Sequence, residues 1–471
     1  MILQITFHCD KIYLKYSLKD SDFMVKIELT NYDIFPKVFR CDTPVEVTIK
    51  PLGLHAAFEG EYTIQVRAFN EGNSTRYPER NNLKEFIVSP CNDGCLRFTH
   101  TYKDEQEHYV DIVRDGKRVV RLSVYSLLDD LIGRYPFRGD LHMHTTRSDG
   151  NQAPAIVAAN YRKYGYDFLA ITDHDSYYPS LEAINAYKDV PIEYNLVTGE
   201  EVHLEGNDIH IVNFGGKYSV NALMPGDHHD DVGDGKDLRS IDGSCPDVIS
   251  VDEYKRQVYE LIKTLDIPDG IEKFTYASCV WIFNHIKKAD GLGIFAHPYW
   301  LQNVLHVPES LTEYMMATQP FDAFEVLGGE NYFEQNGWQT IRYYEDRAKG
   351  RKYPIVGSTD SHSSVHNRNA LIASTIVFAH ENTREGIVYS IKDFYSVAVD
   401  SISTELRVVG EMRFVRYATF LLREFFPLHD ELCFEEGRLM KDYACGDEDA
   451  AETLRFISGR MKKQREKYFK F

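Results

Sequence analysis

The 471-residue sequence lacks long hydrophobic runs and any regular spacing of its eight cysteines. No stretch reaches the roughly 18 apolar residues of a membrane span, and the N-terminus has no basic start followed by an apolar run. Cys91 and Cys95 form the only close cysteine pair, and no second pair completes a zinc knuckle. We therefore expect a cytoplasmic protein with reduced thiols and no contact with a membrane.

Positive charge is also scarce in this sequence. It has 53 Lys and Arg residues against 72 Asp and Glu residues, which gives a formal net charge of −19. Such a surface repels a polyphosphate backbone, so bulk binding of nucleic acid is not expected, although a local basic pocket is compatible with it. The length and a hydrophobic fraction of 43% fit a globular protein of two or three domains whose core needs no disulfide bonds.

Residues 1–132 are predicted to form an all-β, sandwich-like domain. Short runs rich in Val, Ile, Tyr and Phe follow one another, several with alternating polarity, and turns rich in Asp, Asn, Gly and Pro separate them. No group of His, Asp, Glu or Ser residues there indicates a catalytic site. A structural or oligomerising role is favoured, which would make the protein a homo-oligomer through this domain, and binding of carbohydrate or of a partner is the alternative.

Residues 133–400 alternate between strand-like and helix-like stretches, the pattern of a parallel barrel or a doubly wound sheet. Residues 217–275 interrupt this pattern with an acidic, glycine-rich insertion that includes one helix. Such an insertion would be placed to cover the active site and restrict substrate size. Residues 401–471 are predicted to form a helical C-terminal extension. The sequence therefore predicts an α/β catalytic region between a β domain and a helical segment.

The stretch from Asp140 to His144, which reads DLHMH, carries the first candidate metal ligands. On a strand, residues two apart point to the same side, so His142 and His144 would present two imidazoles to one point. Asp149 follows in a turn-forming Ser-Asp-Gly that can bring a carboxylate to the same place. Two imidazoles and one carboxylate are ligands that zinc, manganese or iron accepts. An HxH pair alone is weak evidence, so the prediction depends on matching ligands elsewhere.

Matching residues occupy the ends of later predicted strands. They are Asp173, His174 and Asp175, Glu200 and Glu201, His210, His297, Asp360 and His362. In βα folds the catalytic residues lie at the carboxyl ends of the strands. Five independent strand ends that carry His, Asp or Glu therefore indicate one metal site.

Five motifs in this order, DLHMHTTRSDG, ITDHDS, GEEVHLEGNDIHIV, IFAHP and GSTDSH, resemble the PHP (polymerase and histidinol phosphatase) family of metal-dependent phosphoesterases. The resemblance covers about residues 136–400 apart from the insertion. It implies a distorted (βα)7 barrel with three divalent ions, which would be zinc, manganese or iron. It would place His142, His144, Glu201 and Asp360 at the first ion, Glu201, His210 and His297 at the second, and Asp149, His174 and His362 at the third. Glu201 is preferred to Glu200 because the family's glutamate stands two residues after the glycine, here Gly199.

The resemblance also implies the reaction, hydrolysis of a phosphomonoester of a small metabolite, such as a nucleotide or a sugar phosphate, by a metal-activated water. Asp173 is a candidate catalytic residue that would, like Asp175 or Asp140, orient ligand imidazoles. His366 is the second catalytic candidate, as the proton donor to the leaving group. The candidate phosphate clamps are Arg147 and Arg368. A guanidinium matches phosphate oxygens in a bidentate manner, and the alternative for both is an ordinary surface arginine.

The sequence leaves three alternatives open. The first keeps the metal site but acts on the ends of nucleic acids as an exonuclease or phosphodiesterase, and the acidic balance weighs against it. The second is an amidohydrolase, whose barrels also begin with an HxH motif but usually require a metal-ligand lysine that no predicted strand end offers here. The third is a non-enzymatic binding protein in which the β domain binds the partner. The intact set of candidate metal ligands disfavours it.

Overall fold

The computed structural model describes residues 31–71, 82–224, 243–329, 333–365, 372–402 and 405–471. The three strands predicted before residue 31 lie outside these residues, and so do the candidate site residues His366 and Arg368. No helix in this part of the chain has both the length and the apolar composition that crossing a bilayer requires. The cytoplasmic location stays a prediction.

Eight strands of the described chain form the N-terminal β region. They are β1 (Tyr32–Phe35), β2 (Val38–Arg40), β3 (Pro44–Pro51), β4 (Tyr62–Ala68), β5 (Leu83–Val88), β6 (Leu96–Thr101), β7 (Gln106–Arg114) and β8 (Lys117–Leu127). Strands β1, β3 and β6 form one antiparallel sheet, and the other five belong to a second sheet. Alternate residues face a shared core in which Val47, Ile64, Phe98 and Val110 are buried. The predicted β-rich N-terminal region is thereby confirmed.

Strands and helices then alternate through most of the described residues from 135 to 409. The strands are β9 (Tyr135–Asp140), β10 (Phe168–Ala170), β11 (Asn195–Val197), β12 (Gly199–Leu204), β13 (Asn207–Phe214), β14 (Leu292–Phe295), β15 (Ala323–Leu327), β16 (Ile355–Gly357), β17 (Ala373–Ala379), β18 (Ser396–Asp400) and β19 (Arg407–Val409). The helices are α1 (Pro154–Lys163), α2 (Tyr178–Ala186), α3 (Val251–Ile262), α4 (Lys273–Lys288), α5 (Glu309–Thr318), α6 (Phe333–Ala348) and α7 (Arg384–Lys392). This order matches the alternation that the sequence predicts.

These strands form two sheets, in the orders β11-β10-β9-β17-β18-β19 and β12-β13-β14-β15-β16. Among the described strands, β9 to β11 and β14 to β16 pair in parallel, and the remaining pairs are antiparallel. Two isolated bridges connect the sheets, from Met143 to Ser361 and from His174 to Glu201. The α/β class is confirmed, the antiparallel pairs depart from a uniformly parallel barrel, and the (βα)7 form stays a prediction.

The core between the two sheets is built from large apolar side chains of both. Phe137, Phe168, Phe214 and Ile294 belong to one buried cluster. The ring of Phe168 packs directly on the backbone of Gly139, where an added Cβ atom would lie 2.2 Å from the ring. Only glycine leaves room for this contact, which fixes β10 against β9 just before the chain reaches the first candidate metal ligands.

The predicted insertion is described in part, because residues 225–242 lie outside the described residues. Its helix α3 begins after Ser250, whose side chain accepts a hydrogen bond from the N–H of Glu253. Helix α3 packs on α4 through Tyr254 and Trp281, whose ring centroids lie 5.1 Å apart. The helix of the insertion therefore packs on α4, and covering of the active site by the insertion stays a prediction.

Four further helices confirm the predicted helical C-terminal extension. They are α8 (Met412–Glu424), α9 (Phe426–Ala444), α10 (Glu448–Ile457) and α11 (Arg460–Tyr468). The chain then enters β20 (Phe469–Lys470), which pairs in parallel with β2 of the N-terminal sheet. The hydroxyl of Tyr468 donates a hydrogen bond to Asp33 Oδ2 at 3.1 Å. The last helix and strand thus connect the C-terminal extension to the N-terminal β region.

Helix α9 contacts the amino end of β10 through a buried ionic cluster. His429 Nε2 lies 2.8 Å from Asp167 Oδ1, and His429 Nδ1 lies 2.9 Å from Asp430 Oδ1. Arg138 donates a hydrogen bond to the same Asp430 oxygen at 2.5 Å. The Cys433 Sγ atom lies 3.5 Å from His429 Nδ1. Both nitrogens of the buried imidazole therefore have an acidic partner.

Candidate metal centre

Strand β9 leads directly to the first two predicted ligands. His142 and His144 point to the same side, and both are fully buried. The Nε2 atom of His144 lies 2.9 Å from Asp360 Oδ1, and the Nε2 atom of His142 lies 3.3 Å from the same oxygen. The same two nitrogens lie 3.5 and 3.4 Å from Glu201 Oε2. The structure thus brings together the four residues that the resemblance assigns to the first ion.

Glu201, on β12, connects this first group of ligands to a second group. Its Oε1 atom lies 2.6 Å from Nδ1 of His210, which is on the neighbouring strand β13. His297 follows β14, and its Nε2 atom lies 3.5 Å from Asp360 Oδ2. The ring centroids of His210 and His297 lie 4.9 Å apart. The three residues assigned to the second ion therefore also lie together.

Asp149, His174 and His362 form the third group, at the more exposed edge of the cluster. The Oδ2 atom of Asp149 lies 3.1 Å from His362 Nε2 and 3.6 Å from His174 Nε2. The His174 Nδ1 atom lies 2.8 Å from Glu201 Oε2, and His144 Nδ1 lies 3.8 Å from Asp149 Oδ1. All nine predicted ligands therefore form one continuous cluster, which we call the ligand cluster. Seven of them follow the carboxyl ends of β9, β10, β14 and β16, and Glu201 and His210 lie within β12 and β13.

Several buried atoms of the ligand cluster have no hydrogen-bond partner among the residues that the structure describes. They are His142 Nε2, His144 Nδ1, both carboxylate oxygens of Glu201, His210 Nδ1 and His297 Nε2. Oppositely charged atoms lie nearby, but their directions do not satisfy a hydrogen bond. A buried polar atom without a partner costs about 1–3 kcal/mol, and native proteins pair nearly all such atoms. Imidazole nitrogens and carboxylate oxygens that converge without pairing fit divalent cations.

The charge states of Glu201, Asp360 and His297 are those that bind a cation. Burial raises the pKa of the Glu201 carboxyl, but the imidazoles of His210 and His174 outweigh this effect and hold that pKa well below its usual value. The neighbouring imidazoles similarly overcome the effect of burial at Asp360 and lower its pKa. Burial lowers the pKa of His297 to about 3. Ionised carboxylates and a neutral imidazole are the forms that coordinate a metal ion.

The two adjacent glutamates face opposite sides of β12. The carboxylate of Glu200 accepts hydrogen bonds from Ser219 Oγ at 2.6 Å, Asn213 Nδ2 at 2.7 Å and the N–H of Val220 at 2.6 Å. Because side chains alternate along a strand, Glu201 points the other way, into the ligand cluster. The structure thus places Glu201, as the resemblance implies, among the candidate ligands and gives Glu200 a separate polar pocket.

Asp173, a predicted catalytic residue, is buried beneath the loop that follows His144. Its carboxylate accepts hydrogen bonds from the N–H and the hydroxyl of Thr145, both at 2.7 Å, and from Ser148 Oγ at 2.6 Å. These bonds fix the turn that carries Asp149 to the other ligands. The described contacts therefore give Asp173 a positioning role through this loop, in place of the expected contact with an imidazole.

The two other aspartates expected to orient imidazoles also contact the chain around the ligands, Asp140 through its carboxylate and Asp175 through its backbone N–H. Asp140 accepts hydrogen bonds from Thr359 Oγ1 at 2.6 Å and from the N–H of His142 at 3.2 Å. The N–H of Asp175 donates to the carbonyl of Glu201 at 3.1 Å. These contacts hold the ends of neighbouring strands together, which sets the spacing of the ligands.

Glu325, on β15, is a carboxylate outside the predicted ligand set that contacts the imidazole of a ligand, and the sequence analysis assigns it no role. Its Oε1 atom lies 3.2 Å from His142 Nδ1, and its Oε2 atom accepts a hydrogen bond from the N–H of His297 at 3.0 Å. A carboxylate on the second nitrogen of an imidazole ligand fixes the ring and raises its basicity. The available signal is a lone acidic residue in AFEVL, a stretch otherwise as apolar as a fully buried strand requires.

His203 and Arg147 have contacts that the sequence does not predict. His203 was given no role, yet its Nε2 atom lies 2.9 Å from His174 Nδ1 and 3.7 Å from Glu201 Oε2. Arg147, a candidate phosphate clamp, donates to both carboxylate oxygens of Glu182, at 2.7 and 2.8 Å. Its guanidinium is therefore already paired, and binding of phosphate by Arg147 stays a prediction.

Two curated proteins are similar to part of this chain, and no family model matches it. The DNA polymerase/3′-5′ exonuclease PolX of Bacillus subtilis is 34% identical over 104 residues, which is 20% of this chain and 17% of that protein. The 5′-3′ exoribonuclease of Haemophilus influenzae is 43% identical over 75 residues, which is 16% of this chain and 27% of that protein. The matches thus span less than a third of either relative's length.

A solved structure from Bacteroides vulgatus is also similar to this chain. It is described as a two-domain protein containing a predicted PHP-like metal-dependent phosphoesterase, is 14% identical, and matches with a TM-score of 0.37 over 56% of this chain and 65% of that chain. At this TM-score the likeness says nothing about the barrel or the substrate. The resemblance to PHP-like phosphoesterases that the motifs predict is confirmed.

Proposed function

We propose that this PHP-like chain is a metal-dependent phosphatase that hydrolyses a phosphomonoester of a small metabolite, such as a nucleotide or a sugar phosphate. The observation that carries the proposal is the set of buried, unpaired imidazole and carboxylate atoms around Glu201. Three of the nine ligands are carboxylates, so three dications would keep a net positive charge there, which suits a dianionic phosphate. The number of ions and their identity as zinc, manganese or iron are part of the proposal.

In the proposed reaction the chain holds and orients the groups that act on the phosphate. Divalent ions bound by the ligand cluster would neutralise phosphate charge and lower the pKa of the attacking water. Glu325 would fix the imidazole ring of His142 and the backbone of His297. Asp173 would hold the turn that carries Asp149. Proton donation by His366 and phosphate binding by Arg368 belong to the proposal and lie outside the described residues.

A second candidate function is that of an exonuclease acting on the ends of nucleic acids. It is supported by the two curated relatives, one a DNA polymerase/3′-5′ exonuclease and the other a 5′-3′ exoribonuclease. The formal net charge of −19 weighs against it, because an acidic surface repels a long polyphosphate. We therefore favour a small phosphorylated substrate.

The proposal also places the protein in the cytoplasm and makes it a homo-oligomer through the β domain.

A phosphate-release screen would test the proposal. The protein would be purified without chelator, supplemented with manganese or zinc, and offered mononucleotides, bisphosphorylated nucleosides, sugar phosphates and histidinol phosphate. We expect release from one class of substrate and its loss in the His142→Ala variant. No release from any monoester, together with shortening of an end-labelled oligonucleotide, would replace the phosphatase with the exonuclease.

A further inference from the structure

A compact loop follows the candidate ligand His297 and returns to strand β13. The N–H of Trp300 donates to the carbonyl of His297 at 2.9 Å, and the N–H of His306 donates to the carbonyl of Trp300 at 2.9 Å. The His306 Nε2 atom lies 2.6 Å from the carbonyl oxygen of Asp208, on β13. The loop is thus anchored to the elements that carry His297 and His210, which holds its side chains at the edge of the ligand cluster.

The indole ring of Trp300 lies at the edge of the ligand cluster. Its ring centroid lies 5.5 Å from that of His210 and 6.0 Å from that of His297. His306, on the same loop, lies 5.2 Å from Trp300 by ring centroids. The indole is partly exposed, and its N–H has no hydrogen-bond partner among the residues that the structure describes. A tryptophan N–H normally finds a partner when it is buried, so this donor is available to a bound molecule.

An aromatic surface beside an anion-binding centre is suited to a substrate that has a flat ring and a phosphate. Bases stack on aromatic side chains with little dependence on sequence, because every base has a π face. A nucleoside monophosphate carries its base one sugar away from its phosphate. A phosphate at the ligand cluster would therefore leave the base within reach of the indole, whereas a simple sugar phosphate has no flat ring to cover it.

We propose that Trp300 stacks on the base of a nucleoside monophosphate whose phosphate lies at the ligand cluster, so that nucleotides are the substrate class. This inference rests on the proposed function for the position of the phosphate. In this inference Trp300 recognises the substrate, and the ligand cluster carries out the chemical step.

Two substrates that differ only by the base provide the first test. The kcat/KM values for adenosine 5′-monophosphate and ribose 5-phosphate would be measured for the wild type and for the Trp300→Ala and Trp300→Phe variants. We expect the wild type to prefer the nucleotide, Trp300→Ala to lower the nucleotide-to-sugar ratio about tenfold or more, and Trp300→Phe to retain most of it. Trp338→Ala, which removes another partly exposed tryptophan on α6, should leave the ratio unchanged. A wild-type preference for ribose 5-phosphate, or a ratio insensitive to Trp300→Ala, would overturn the inference.

Binding without turnover provides a second test, which separates this inference from the proposed function. The chain has three tryptophans, so its intrinsic fluorescence can be assigned with few variants. A non-hydrolysable 5′-phosphonate analogue of the nucleotide should quench the fluorescence of the wild type and of Trp338→Phe, but not that of Trp300→Phe. Quenching that depends on Trp300 without hydrolysis of any substrate would reject the phosphatase and keep base recognition. Hydrolysis without such quenching would reject base recognition and keep the phosphatase.

Discussion

Two buried groups of imidazoles and carboxylates lie at opposite ends of strand β10, and they differ in how their atoms pair. At the carboxyl end, the ligand cluster leaves nitrogens of His142 and His210 without a partner in the described chain. At the amino end, His429 uses both nitrogens, one on Asp167 and one on Asp430. The residue types are similar, yet only the first group has electron pairs free for a cation.

The two groups contain similar residue types. What distinguishes the candidate metal site from the structural ion pair is whether the imidazole and carboxylate atoms already have partners within the protein. By distance alone, Asp167, His429 and Cys433 could also hold an ion. Their imidazole is already satisfied by two carboxylates, so a cation would have to displace existing contacts. We therefore interpret the cluster around His429, which we call the α9 cluster, as the contact that fixes the C-terminal extension to the strands.

The largest expected effect comes from Glu201→Gln. Because this carboxylate contacts all three groups of ligands, its loss should lower phosphate release about a thousandfold and remove at least one ion per chain. Elemental analysis and the phosphate assay measure both effects. The adjacent Glu200→Gln is the matched control, and it should lower stability through the Ser219 pocket while it keeps the metal content. Metal loss in the Glu200 variant alone would reverse the two assignments.

The next largest effect concerns the α9 cluster. His429→Asn leaves the carboxylates of Asp167 and Asp430 with incomplete partners, so the free energy of unfolding should fall by about 3–4 kcal/mol, as for other broken buried ion pairs. Urea denaturation would measure this loss, and the metal content should not change. His429→Gln serves as a milder variant if the first one does not fold. A lower metal content in either folded variant would show that the α9 cluster is itself a metal site.

A smaller effect should follow from Glu325→Gln. The change keeps the shape of the side chain but weakens its hold on the imidazole of His142, so the affinity for metal should fall about 10- to 100-fold. Competition with a chromogenic chelator measures that affinity. Asp346→Asn alters another buried carboxylate, paired with Arg351 at 2.8 Å and remote from the ligands, and its metal affinity should equal that of the wild type. Equal affinities in both variants would contradict the role of Glu325.

The smallest effect is a pH dependence of stability that belongs to the α9 cluster. Burial lowers the pKa of His429, but Asp167 and Cys433 outweigh it and hold the pKa well above its usual value. A raised pKa stabilises the folded state fully below about pH 6.5, and the gain is lost as the pH rises through the folded value. The stability difference between the wild type and His429→Gln, measured in chelator by urea denaturation, should therefore shrink at alkaline pH. A difference that grows with pH would contradict this sign.

The ligands could be predicted from the sequence because short motifs at strand ends encode them. The resemblance distinguishes Glu201 from Glu200, and the period-two alternation of a strand aligns His142 with His144. Glu325 could not be found in this way, since its partner His142 is 183 positions away and a lone carboxylate in an apolar strand forms no pattern. Pairing across such a distance is decided by packing and not by local sequence.

Strand direction and side-chain partners were the other features that the sequence did not reveal. Strands β12 and β13 form an antiparallel hairpin through two residues, Glu205 and Gly206, a link too short for a parallel connection. The motif GEEVHLEGNDIHIV spans this turn, whereas the pattern of residues 133–400 predicts a parallel series. Arg147 similarly has no local sign that Glu182 occupies its guanidinium, because the two residues meet only when α2 packs beside the loop.

The pairing of β20 with β2 also has a consequence for the order in which the protein acquires its structure. Tyr468 and its partner Asp33 are 435 positions apart in the chain. At about 5–20 residues per second, a ribosome would deliver β20 roughly 20–90 s after β1. During that interval the edge of β2 is open, and a chaperone or another nascent chain has time to occupy it. The pairing of β20 would therefore complete this sheet only after β2 and β8 have been made.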